Sequence, residues 1–269
     1  MKILVLALDW RYQLTQDFEI KALLYMTKTV AVIPARYAST RFPGKPLALI
    51  AGKPMIQWTC EKAAESKADE VIVATDDIRI KECVENFGGK VVMTSTEHQS
   101  GTDRIAEAIE KIDADVIINL QGDEPMLPGH IIDELIDIMT ANPDTEMATV
   151  AVPVSADSEE YQNPNNVKVV TANDGRALYF SRSPLPYFRN KPENAECLIH
   201  WGIYAYRRSL IEKFVQWPQG TLEQIESLEQ LRALENGATI KVAIAHEKAL
   251  GVDVPEDVAK VEEYLKQVK

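Results

Sequence analysis

Residues 29–46 read Thr-Val-Ala-Val-Ile-Pro-Ala-Arg-Tyr-Ala-Ser-Thr-Arg-Phe-Pro-Gly-Lys-Pro. The apolar run 29–33 reads as a buried strand, and the amphipathic stretch 54–66 reads as the helix after it. A loop with three cations, Arg36, Arg41 and Lys45, therefore leaves the carboxyl end of a strand. Open α/β sheets place their ligands there. The whole chain has a formal net charge of -12, so general surface basicity does not account for the cluster. A polyphosphate ligand does.

Outward from this loop, short apolar runs alternate with helical patterns. Strands are predicted at 71–74, 90–93 and 116–120, and helices at 77–87, 101–112 and 130–141. All-apolar strands separated by helices predict a mostly parallel, Rossmann-like α/β sheet covered on both faces, with right-handed crossovers. The middle differs. Runs at 147–154, 167–170, 177–181 and 199–206 read as strands joined mostly by short loops, hence antiparallel, with Asn173-Asp174-Gly175 as a hairpin turn. A smaller mixed or antiparallel lobe at about 146–210, or an extension of the sheet, follows from this. The tail alternates again: a helix over 222–235 closed by Asn236-Gly237, a strand at 240–245, and a helix over 255–268 with Pro255 in its first turn.

The 269 residues suffice for one large domain or a domain with a subdomain. Apolar content of 46% and charged content of 26% are those of a globular protein, and the acidic balance argues against nucleic-acid or membrane-surface binding. Cys60, Cys83 and Cys197 are odd in number and lack metal-ligand spacing, so reduced thiols in a cytoplasmic protein are expected. No apolar run approaches the roughly 18 residues of a membrane span. Met1 to Ala7 is apolar, but charges follow closely and no small-residue cleavage site is present, which argues against a secretory signal. The domain is expected to start near Met26, with residues 1–25 an extension or a translation-start artefact.

Four constellations carry candidate chemistry. In the first loop, Lys45 offers a point charge, Arg36 and Arg41 offer planar forks for phosphate or carboxylate, and Gly44 admits close approach of the backbone. The alternative is a solvated loop with surface cations. The pattern is not a Walker loop. Gln121-Gly122-Asp123-Glu124-Pro125 follows an apolar strand, and Asp123 suits a hard divalent cation such as Mg²⁺. A plain acidic turn is the competing reading. Asp253 is either a helix N-cap or a second Mg²⁺ carboxylate. The fourth group comprises Arg182, a bidentate fork for a substrate carboxylate, His200 and Tyr204 on one strand face, and Glu226 with Glu229-Gln230. Glu226 and Gln230 are four apart on the helix read over 222–235 and therefore share a face. A packed His–Tyr pair and an ordinary solvated helix face are the bland alternatives.

Taken in order, these pieces closely resemble the 3-deoxy-manno-octulosonate cytidylyltransferase family, the CMP-Kdo synthetases. The matching stretches are IPARYASTRFPGKPL at 33–47, VATDD at 73–77, VVMTS at 91–95, SGTDR at 100–104 and INLQGDEP at 118–125. They continue with ALYFSRSPLP at 177–186, HWGIYAYRR at 200–208, LEQLRALENG at 228–237 and VDVPED at 252–257. The family often has Leu or Ile where Trp201 stands. The resemblance implies a GT-A-like nucleotidyltransferase sheet and the reaction CTP + Kdo → CMP-Kdo + diphosphate with Mg²⁺, in a cytoplasmic homodimer.

It further implies that Arg36 and Lys45 contact the triphosphate and that Asp123 and Asp253 hold the metal. Ala35, Ala74, Thr75, Ser100 and Arg104 would lie around the nucleotide. Arg41, Gln121, Glu124, Arg182, His200, Tyr204, Glu226 and Gln230 would line the sugar pocket. Rival readings are the same transfer to the 8-amino analogue of Kdo, transfer to another sugar acid, and a non-catalytic CTP-binding module. The last would not require both Asp123 and Asp253.

Overall fold

The computed structural model describes residues 27–38, 42–98, 100–247 and 249–267. The extension 1–25, the domain start near Met26 and the side chain of Arg41 lie outside these residues.

Strand β1 (Thr29–Ala35) is almost wholly buried because parallel neighbours flank it on both edges: β4 (Glu70–Thr75) on one and β6 (Val116–Asn119) on the other. Its alternate residues enter two different cores. Val30 and Val32 face one, and Ala31, Ile33 and Ala35 face the other, as period two requires. The first core is covered by α3 (Gly101–Ile109), α6 (Arg208–Phe214) and α8 (Gln230–Glu235). The second is covered by α1 (Met55–Ala64), α2 (Ile78–Asn86) and α4 (Gly129–Ala141). The predicted double-layered α/β architecture is what the chain adopts.

The main strand order is β11-β7-β10-β6-β1-β4-β5, where β5 is Lys90–Met93, β7 Met147–Ser155, β10 Glu196–Arg207 and β11 Ile240–Ile244. Only β10 runs antiparallel, between β6 and β7. The strands β8 (Lys168–Thr171) and β9 (Ala177–Ser181) form the expected hairpin around Gly175 (φ 80°) and hang off β10. The antiparallel middle therefore enters as an extension of the one sheet. The chain leaves β1 toward β4 and β5, then crosses back to β6 on the other edge of β1. That reversal is the switch point of the sheet, and the loops after β1 and β6 face each other across its crest.

The helix predicted over 222–235 is two helices, α7 (Thr221–Glu226) and α8, broken at Ser227, which adopts φ 52°. Contacts distant in sequence hold the break. The Glu235 carboxylate accepts from the N–H groups of Leu222 and Glu223, and Arg232 forms a buried ion pair with Glu223 at 2.5 Å. Glu226 and Gln230 therefore do not share a helix face. Further short elements escaped the sequence reading: a 3₁₀ turn at Lys45–Leu47, the hairpin β2–β3 (Leu49–Ile50, Lys53–Pro54), α5 (Glu159–Gln162) and α6. The helix α9 (Pro255–Gln267) closes a small satellite core through Val261, packed with Ile50, Met55, Met126 and Val252.

Candidate active site

A cleft of about 260 Å³ opens at the crest, between the loops after β1 and β6 and the N-terminus of α3. Ala35, Arg36, Lys45, Ser100, Arg104, Gln121 and Asp123 all line it, as does His98, which the sequence reading passed over. His98 is held by Glu107 at 2.5 Å. Arg36 is exposed at the rim.

Each wall has a local cause. Gly44 takes φ 72° and donates its N–H to Tyr37 O at 2.9 Å, closing the cationic loop at its base. A Cβ there would stand 3.0 Å from the Tyr37 ring, so a glycine is required by the turn and by its own neighbour. Ser100 caps α3 through a reciprocal pair of bonds with Asp103, leaving the helix N-terminus directed at the cleft, a setting favourable to anions. Arg104 is only 4% exposed and ties Thr94 Oγ1 (2.6 Å) to Asp76 Oδ2 (2.8 Å), bracing the loops after β4 and β5. Ala74 and Thr75, expected at the nucleotide, are fully buried in β4 and do not line the cleft.

At the cleft mouth the distant acidic residues meet. Lys45 Nζ lies 2.6 Å from Asp123 Oδ2, 3.0 Å from Val252 O and 4.0 Å from Asp253 Oδ1. Val252 N donates to Asp123 O at 2.9 Å, which latches the loop before α9 onto the loop after β6. Among the described residues no group of three His, Cys, Asp or Glu side chains gathers as a ready-made metal cage. Two carboxylates already converging on one cation do fit a small hard ion whose remaining positions fall to phosphate oxygens and water.

Of the candidate sugar residues that the structure describes, only Gln121 lines this cleft; those on and beside β10 lie on both of its faces. On one side Phe180, His200, Tyr204 and Tyr206 form a ladder of rings, with centroids 5.0, 5.4 and 5.8 Å apart in turn. His200 Nε2 meets Thr149 Oγ1 at 2.9 Å, and burial pushes the imidazole down to about 3, so it is neutral. Burial pushes the Tyr204 phenol up, helped by the charge of Glu229.

Arg182 and Glu226 are joined. The Glu226 carboxylate accepts from Ser181 Oγ (2.5 Å) and Arg182 N (3.0 Å), while the Arg182 guanidinium donates to the carbonyls of Glu226, Pro164 and Ser227. Arg182 O in turn accepts from the buried ammonium of Lys168 at 2.6 Å.

Glu229, grouped with these residues in the sequence but given no role there, acts through its charge on the Tyr204 phenol. Burial raises its carboxyl, and Thr102 Oγ1 donates to it at 2.8 Å. Glu229 Oε1, Gln230 Nε2 and Asn119 Oδ1 are buried polar atoms with no hydrogen-bond partner among the described residues. Asn119 pairs across the sheet with Tyr204, so its unpaired oxygen lies at the end of β6, in register with one of the rings. A buried Asn closing an apolar strand was the available signal. On the other side of β10, Trp201 Nε1 donates to Glu124 Oε1 at 3.0 Å, and Gln121 Nε2 reaches Gly202 O at 3.4 Å.

Residues 30–241 match the sequence profile of a family described as Cytidylyltransferase. A 3-deoxy-manno-octulosonate cytidylyltransferase of Thermodesulfovibrio yellowstonii is 50% identical over 251 residues, covering 88% of this chain and 98% of that protein. One of Vibrio parahaemolyticus is 52% identical over 240 residues, covering 86% and 95%. A solved CMP:2-keto-3-deoxy-manno-octonic acid synthetase complexed with CTP has TM-score 0.86 at 46% identity, covering 90% of this chain and 100% of that one.

Proposed function

The chain belongs to the cytidylyltransferase family, among the 3-deoxy-manno-octulosonate cytidylyltransferases, and from that premise we propose that it transfers the cytidylyl group of CTP to Kdo with release of diphosphate. The product would serve lipopolysaccharide biosynthesis. The observation that carries the reading at the site is the meeting of Lys45, Asp123 and Asp253 at the mouth of the crest cleft.

The sugar's anomeric hydroxyl attacks the α-phosphorus in line. A bond forms from that oxygen to phosphorus, the bond to the bridging oxygen breaks, the hydroxyl proton is lost, and diphosphate leaves. Both substrates are anions, so the site must first offset their repulsion. Arg36, Lys45 and the N-terminus of α3 supply positive potential along one side of the cleft. Ser100 and Ala35 lie where the nucleoside would rest against that helix.

Asp123 and Asp253 would hold Mg²⁺, which supplies charge neutralisation at the phosphoryl oxygens. Arg182 has five N–H donors, of which three meet backbone carbonyls, so two remain for a sugar carboxylate. Neutral His200, Tyr204, Gln230 and Glu229 offer donors and acceptors for the sugar hydroxyls. Positioning and electrostatics suffice for phosphoryl transfer of this kind.

The reading includes a cytoplasmic homodimer. The three unpaired thiols and the exposed apolar side chains Leu178 and Ile225 support it, and light scattering on the purified chain tests the mass. No helix among the described residues is long and apolar enough to cross a membrane. The deciding experiment is a diphosphate-release assay with CTP and Kdo, run beside the 8-amino analogue, other sugar acids and the other nucleoside triphosphates. Release with CTP and Kdo above every other pair is expected. CTP binding without release would leave a binding module instead.

A further inference from the structure

Glu124 follows Asp123 and was expected in the sugar pocket, yet its surroundings differ from those of the ring ladder. Trp201 packs into the core opposite the one that holds Phe180, Tyr204 and Tyr206, because successive residues of β10 face opposite ways. Its indole N–H, on a side chain only 4% exposed, donates to Glu124 Oε1 at 3.0 Å. The same carboxylate lies against the loop before α9: a Cβ on Gly251 would stand 3.4 Å from Glu124 Oε1 and 3.5 Å from Asp123 O. The next residue, Val252, donates its N–H to Asp123 O and presents its carbonyl to Lys45. Asp253 follows directly.

We propose that Trp201 and Glu124 form a latch that seats the 251–253 loop and so sets where the Asp253 carboxylate stands relative to Asp123. Both are positioning residues. An indole N–H bonded to a carboxylate fixes the carboxylate's rotamer, and the fixed carboxylate is the surface on which Gly251 rests. Trp201 also begins an irregularity in β10, where the pairing jumps from Trp201↔Val150 to Tyr204↔Thr149. Thr149 Oγ1 holds that irregularity by donating to Ile203 O at 2.8 Å. Thr149 thus ties the strand that carries Trp201 to its neighbour at that point.

The link to metal binding rests on the function proposed above; the latch itself does not, and the test separates the two. Amide hydrogen exchange, read at Val252, needs no substrate. Glu124→Ala and Trp201→Phe are expected to speed exchange at Val252 by about tenfold, while Glu124→Gln, which keeps an oxygen for the indole N–H, holds it near the parent rate. In diphosphate release, Glu124→Ala is expected to raise the Mg²⁺ concentration for half-maximal rate by about tenfold. Its KM for the sugar should stay within about twofold, and Glu124→Gln should rescue the Mg²⁺ midpoint. Unchanged exchange at Val252 in both Glu124→Ala and Trp201→Phe overturns the proposal. So does a Glu124→Gln variant that loses sugar affinity as fully as Glu124→Ala, since Glu124 would then be a sugar ligand. If the parent chain releases no diphosphate, the proposed activity fails, and the exchange rates still decide the latch.

Discussion

Replacing Lys45 by Met tests whether its ammonium holds the two aspartates together. Lys45 Nζ is 2.6 Å from Asp123 and 4.0 Å from Asp253, and the Lys45 side chain is only 15% exposed. Unit charges about 4 Å apart interact by about 4 kcal/mol at an effective dielectric of 20. Asp123 is 35% and Asp253 63% exposed, so water screens much of this and rehydrates the carboxylates once the cation is gone. The discounted loss is about 1–2 kcal/mol, which for a chain of this size lowers Tm by about 2–8 °C.

Methionine keeps the length and apolar stem, so packing changes little. In the parent chain Asp253→Asn should move Tm by less than about 1 °C, because the exposed pair at 4.0 Å contributes little. In the Lys45→Met background the same change should raise Tm, because it removes one of two facing carboxylates. Scanning calorimetry of the four proteins without nucleotide reads all of this. A Lys45→Met chain that melts with the parent, or one that Asp253→Asn destabilises further, refutes the reasoning.

Other perturbations read other parts of the molecule. Asp123→Asn should lower kcat by about 10²–10³-fold in a magnesium titration of diphosphate release, and near-parental turnover counts against its role. Arg182→Ala should raise the KM for Kdo at least tenfold more than that for CTP, because two of its five N–H donors remain beyond the three that meet carbonyls and suit a sugar carboxylate; equal rises would contradict this. His200 is held neutral down to about 3 against an ordinary 6.5, so below pH 6.5 the unfolded chain takes up a proton that the folded chain refuses. Stability is then lost as pH falls, by at most about 1.4 kcal/mol per pH unit, and His200→Gln should flatten the urea-stability curve between pH 6.5 and 4.5. Ser227→Gly should stabilise by about 0.5–1 kcal/mol, since φ 52° costs a residue with a Cβ; a lower urea midpoint would show that the Ser227 side chain matters more than its backbone.

The parallel half of the sheet was legible because each of its strands is a short all-apolar run, the pattern of a strand buried on both faces. The hairpin at Gly175 was legible for a different reason: it demands φ of 80°, which Asn-Asp-Gly announces. Strand order was not. Nothing local in residues 196–207 says that this strand inserts antiparallel between β6 and β7, because that choice rests on partners up to 91 residues away in the register Arg207↔Val116. The break at Ser227 was hidden for the same cause. Residues 222–235 contain no Gly or Pro; the first helix ends with Ser227 in the left-handed region and Leu228 N–H on Glu223 O, and the Glu235 carboxylate then folds back to cap the N–H groups that open that helix. Local propensity cannot register a cap supplied from 13 residues on.

The site shows the same division. Arg36, Lys45 and Asp123 could be placed from strand ends alone, since the crest of an α/β sheet is where such loops must lie. Asp253 could not, because a carboxylate just before a helix reads equally as a cap or as a ligand. Its neighbour bears on the capping half of that choice. Asp257 Oδ2 accepts from the N–H groups of both Asp253 (3.0 Å) and Val254 (3.2 Å), and Lys260 holds the other oxygen at 2.7 Å. Those bonds draw the Asp257 carboxyl below the ordinary carboxylate range, Lys260 contributing most among them. Both of those donors precede the first residue of α9, and the carboxylate of Asp253 stands 4.0 Å from Lys45 Nζ. The sequence carried that cue. In Asp253-Val254-Pro255-Glu256-Asp257 the second aspartate stands at the third helical position, where a side chain reaches back to the cap, and that puts Val254 rather than Asp253 at the cap.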